Sequence, residues 1–103
     1  MAFESGSFDT TLAAAAGHDG AMMAELRRGY AESVAHQVDL LARSRCDANW
    51  TMASARLQSL AAGFHDHALM ELADMAHHAA PGEPTVIRLI QEHICEIRSH
   101  AAD

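Results

Sequence analysis

Eight histidines, two cysteines and fourteen carboxylates are the residues of this 103-residue chain whose chemistry could bind a metal, attack a substrate or move a proton. Metal binding needs three or four such groups within one ligand sphere. His65 and His67 stand about ten residues before His77 and His78, so on a helix the two pairs lie about 15 Å apart at about 1.5 Å per residue and cannot share an ion. No His-X-X-X-His or Glu-X-X-His pairing of the kind used in helical metal sites occurs in this stretch, where Asp74 with His77 or His78 supplies a weak pair. Glu92, Glu96, His93 and His100 follow an ordinary surface spacing. Cys46 lies in a turn beside Asp47, whose charge opposes a thiolate, and Cys95 sits near Glu92 and Glu96. A Gly-rich phosphate loop, paired buried carboxylates and a Ser-His-Asp order are all missing. The expectation is a protein without catalysis, cofactor or metal.

The elements that position these residues follow from composition. One domain fits this length, and a single core suffices at this size. Half of the residues are apolar, only 5% are aromatic, and Ala, Leu and Met outweigh the β-branched types, a bias toward helix over sheet. Seven arginines and no lysine face fourteen carboxylates for a net charge of -7, which argues against a nucleic-acid partner. Charged residues interrupt every apolar run before it reaches the length of a membrane span. Two distant cysteines make no disulfide framework, and no charged segment with an apolar stretch behind it opens the sequence, so the expected compartment is the cytoplasm.

Periodicity divides the chain into helices. Residues 1–8 read as a flexible arm, with Phe3 or Phe8 tucked onto the fold, and 9–103 as the domain. Asp9 is expected to cap a short helix over 9–16 that stops at Gly17, and Asp19 to cap the next, over 21–45. In that helix Met23, Leu26, Tyr30, Val34, Val38 and Leu41 share a stripe. After a turn at Cys46, Asp47 and Asn49, a third helix carries Trp50, Ala53, Leu57, Leu60, Ala61 and Phe64 toward the core. Gly63 and His65 end it. Asp66 can cap a fourth, with Leu69, Leu72, Ala73 and Ala76 inward, and the Pro81 to Pro84 segment breaks the chain before a fifth with Ile87, Ile90, Ile94, Ile97 and Ala101. Four long amphipathic helices behind a short leading one predict an all-α, up-and-down four-helix bundle.

One face is not explained by the core. At about 100° per residue, Ala55, Gln58, Ser59 and Ala62 point away from Trp50, Leu57 and Phe64, and none of the four is charged. An Ala-rich helix chosen for propensity, or covered by the arm, would look the same. The alternative is a docking surface of Ala55, Gln58, Ser59 and Ala62 flanked by Met52 and Arg56, since small residues let another backbone approach closely. Gln37 on the second helix lies off both this face and the core stripe.

The segment Ala55-Arg56-Leu57-Gln58-Ser59-Leu60-Ala61-Ala62-Gly63-Phe64, with Leu69, Leu72 and Ala73 behind it, resembles the histidine-containing phosphotransfer (Hpt) domains of two-component phosphorelays. That family carries His, any residue, Leu, Lys, Gly and then small residues on the third helix of such a bundle. The resemblance implies phosphorelay signalling and a partner that is a response-regulator receiver domain or a sensor histidine kinase, with a monomer favoured. It places Ala55 where the family has its phosphoacceptor, Gln58 at its lysine and Ser59 at its glycine. A methyl group is no nucleophile, so the resemblance implies docking without phosphotransfer. An active protein would need a non-aligned histidine. His36 is the candidate, opposite the Tyr30-Val34-Leu41 stripe, with Glu32 and Asp39 close by in opposition to a phosphoryl group. An unrelated helical interaction or metal-binding protein is the third reading.

Overall fold

The computed structural model describes the backbone of residues 6–102 and the side chains of residues 6–99. Expectations about Phe3, His100 and Ala101 lie outside the described side chains. The described chain is all-α, with five helices: α1 (Gly6–Ala16), α2 (Gly20–Ala42), α3 (Asp47–Gly63), α4 (His67–His77) and α5 (Pro84–Ala102). Among the described residues no strand occurs, and no helix is long and apolar enough to cross a membrane.

Local chemistry sets the helix ends. The Asp19 carboxylate accepts the Met22 amide at 3.1 Å and caps α2. Between α1 and α2 the backbone turns through two left-handed residues, Gly17 at φ 62° and His18 at φ 64°, of which only glycine adopts that conformation without strain. α2 stops at Ala42 rather than reaching Arg45. The Ser44 hydroxyl donates to the Leu40 carbonyl at 2.9 Å and satisfies an acceptor that a further turn would otherwise take. α1 starts at Gly6 rather than behind a cap at Asp9. Thr10 and Thr11 donate to the carbonyls of Gly6 and Ser7, both at 2.9 Å, while Asp9 turns away to pair with Arg27 at 2.6 Å. Residues 6–8 therefore belong to the helical fold, and Phe8 is sealed in the core.

α2 packs against α1, α3 and α5, and α4 against α3 and α5. Their shared core holds Phe8, Leu12, Val34, Leu41, Trp50, Leu57, Leu69, Ile90 and Ile97, all buried. Burial of each large side chain contributes about 1.5–3 kcal/mol, so this shared core is the main cohesive force. Trp50 adds direction to this packing: its indole N–H donates to the Ala76 carbonyl at 2.7 Å, which ties α3 to the last turn of α4.

Candidate functional site

The α3 helix presents three surfaces. Trp50, Ala53, Leu57 and Ala61 face the core and are buried. Ala55, Ser59 and Ala62 face outward and are exposed, with Met52 and Arg56 exposed beside them. Met52 is 51% accessible, a large apolar side chain left in water. Gln58 departs from expectation: it is half-buried, because it follows the sealed Ser54 by one turn on the flank turned from α2. Along α3 the only carboxylate is Asp47, in its first turn, so the outer face carries no negative charge in a chain of net charge -7.

Toward α2 the surface opens into a groove of about 700 Å³. Arg56, Ser59 and Gly63 of α3 face Gly29, Glu32 and His36 of α2 across it. The half-buried Leu60 and Phe64 line it as well, and this opening is why neither is sealed as its stripe position predicts. Gln37 also lines the groove, with its Oε1 buried and without a hydrogen-bond partner, so it does not lie apart from the α3 surface as its spacing suggests. His36 is exposed here, and Arg43 engages Asp39 at 2.6 Å, which leaves Glu32, in the same groove, as the opposing charge without an ion partner among the described residues. Periodicity alone does not reveal the groove. Its one signal in the sequence is Gly29 in the interior of α2, where a helix favours almost any other residue.

Below the far end of α3 lies a buried polar network that the sequence reading missed. Asp66 is fully buried and uses both oxygens: Oδ1 accepts the Leu69 amide at 3.2 Å and caps α4, while Oδ2 accepts the Tyr30 hydroxyl at 2.7 Å and the His93 Nε2–H at 2.8 Å. The cap is the expected one. His93, read as part of a surface pattern, is instead buried, because it lies three residues after Ile90 and four before Ile97 on the same face of α5. A carboxylate only accepts, so His93 carries its hydrogen on Nε2. The Tyr30 phenol is held well above its ordinary ionisation range, first by burial and then by the Asp66 charge and hydrogen bond. Phe64 and Phe8 pack on the Tyr30 ring at 4.5 and 5.0 Å between centroids, and the Arg27 guanidinium lies 5.2 Å over Phe8. With water excluded, this network holds α2, α4 and α5 together and offers no access to a substrate.

The other histidines lie outside this network. His65 adopts φ 55° at the end of α3 and meets Thr11 Oγ1 at 2.9 Å. The Thr11 hydroxyl gives its one proton to the Ser7 carbonyl, so His65 Nδ1–H is the donor, and the contact latches α1 to the turn before α4. His67, His77 and His78 are exposed, as are the thiols of Cys46 and Cys95. Among the described residues no three His, Cys, Asp or Glu side chains are placed to hold a metal ion. In comparisons with known proteins, no protein-family model, no curated protein and no solved structure matches the chain.

Proposed function

We propose that this chain is an Hpt-like signalling module without phosphotransfer, which docks a response-regulator receiver domain through the outer face of α3. The observation that carries the reading is Ala55, exposed at the centre of a surface without carboxylates, with Ser59 and Ala62 beside it. A methyl group stands where the resemblance puts the phosphoacceptor, so the surface keeps its small-residue shape and lacks a nucleophile. The packing of α2, α3, α4 and α5, each against the next and α5 against α2, supports an up-and-down four-helix bundle with α1 as the short leading helix. The reading makes the protein a non-enzymatic adaptor or competitor in a phosphorelay, monomeric and cytoplasmic, with a sensor kinase as the other partner of the same class.

A second reading, phosphotransfer through His36, is favoured by Arg56 across the groove, a cation able to hold phosphoryl oxygens, and opposed by Glu32 in the same groove. Both are tested by titrating the protein against the receiver domains and histidine kinases of its own organism, then incubating it with each in phosphorylated form. The expected result is binding of at least one receiver with no acid-labile phosphoryl group on this chain. Absence of binding to every receiver and kinase overturns the proposal, and label that disappears on His36→Gln replaces it with the second reading.

A further inference from the structure

Two glycines line the groove, and the first of them has no reason in the fold itself. Gly29 lies inside α2 and Gly63 at the last position of α3, and neither has the positive φ that would require glycine. A Cβ added to either would meet no heavy atom within 4 Å beyond its own helix backbone and chain neighbours. Glycine in a helix interior is destabilising relative to alanine, and no close approach inside the molecule offsets that cost at Gly29. What the missing side chains do leave is a low wall on each side of the groove, where a second backbone can come close. The half-buried rings and methyls of Phe64 and Leu60 supply an apolar surface between them.

The rims carry opposite charge. Arg56 stands on the α3 rim and Glu32 on the α2 rim, and neither forms an ion pair with a described residue. We infer that the groove receives a helix of the partner protein, lying with small apolar side chains against Gly29 and Gly63, carboxylates toward Arg56 and cations toward Glu32. The two-sided charge pattern sets which way round that helix lies, because the reversed placement opposes like charges on both rims. A second copy of this chain is a poorer occupant: two molecules of net charge -7 repel, and no described helix combines such a small-residue face with that charge pattern. The inference rests on the docking reading for the existence of a protein partner, and adds what that partner presents.

The test uses the full chain and a probe independent of any receiver: a library of helices on a fixed scaffold, displayed on phage, with one face randomised. Helices selected on the parent are expected to carry Gly, Ala or Ser at the centre, acidic residues along one edge and basic residues along the other. They should bind Gly29→Leu at least tenfold more weakly, and the double exchange Arg56→Glu with Glu32→Arg should reverse the selected charge order. Gly29→Ala should raise the melting midpoint by about 4 °C, since alanine restores helix propensity where no neighbour objects. The inference is overturned if no helix is enriched, if enriched helices bind Gly29→Leu and the charge-exchanged variant as they bind the parent, or if sedimentation shows a parent dimer that Gly29→Leu dissociates. A receiver that binds Gly29→Leu and parent equally removes the groove while leaving the docking proposal standing. Selected helices without any receiver binding do the reverse.

Discussion

The two flanks of α3 are built in opposite ways. Toward α4 the contact is closed: Ser54 is sealed and donates to the Trp50 carbonyl at 2.9 Å, Trp50 reaches the Ala76 carbonyl, and Asp66 at the turn between the helices satisfies three donors. Toward α2 it is open, with glycines at Gly29 and Gly63, half-buried apolar groups and two charges that have no ion partner among the described residues. Polar groups on the closed flank have their partners inside the molecule, so they stabilise the fold. On the proposed reading, those on the open flank are left for a partner. Substitutions on the closed flank should therefore cost stability, and substitutions on the open flank and outer face should cost binding.

Asp66→Ala is the most severe way to probe the closed side. It removes the α4 cap and leaves Tyr30 and His93 buried without their acceptor, so chemical denaturation should show a loss of about 3–5 kcal/mol. Trp50→Phe keeps most of the apolar area and removes the indole bond to the Ala76 carbonyl, which still accepts the Ala79 amide at 3.1 Å, so the same measurement should show only about 1–2 kcal/mol.

Alkaline pH probes the network without mutation. The folded state holds Tyr30 above its ordinary value of 10.0, so above that pH the unfolded chain gives up a proton that the folded chain keeps. Stability is fully present below pH 10.0 and falls as pH rises beyond it, by about 1.4 kcal/mol per pH unit. Tyr30 is the only tyrosine and lysine is absent, so phenolate absorbance reads this one group and should appear together with loss of helical circular dichroism. Phenolate forming near pH 10 in a folded protein would show that the hydroxyl is not held by Asp66. The smallest expected effect is on the open side: Ala55→Arg should change stability by no more than about 0.5 kcal/mol, because the position is exposed and arginine is a good helix former.

What was legible in the sequence was what short-range chemistry decides. Asp19 and Asp66 cap the helices they precede, Pro84 opens α5, and the Val34, Leu57 and Ile90 stripes face the core as their spacing requires. Exposure of Ala55, Ser59 and Ala62 was legible for the same reason, since a helix fixes the angle between residues. The Tyr30-Asp66-His93 network was not, because it joins three helices far apart in the chain and no local pattern pairs them. His93 gave a partial signal in its spacing from Ile90 and Ile97, masked by the charged residues at Glu92 and Glu96. Nor was the groove legible, since it depends on how far α2 and α3 stand apart and on side chains that Gly29 and Gly63 do not have.

Recognition through the exposed surface of α3, as proposed, is tested by a calorimetric titration of parent and Ala55→Arg with a receiver domain that binds the parent. Equal helical content and melting behaviour are expected for the two proteins. Binding should weaken by about 2 kcal/mol, roughly 30-fold in Kd, as a bulky charge is forced into a contact shaped for a methyl group. An Ala55→Arg protein that folds like the parent and binds with the same Kd would contradict docking through this surface.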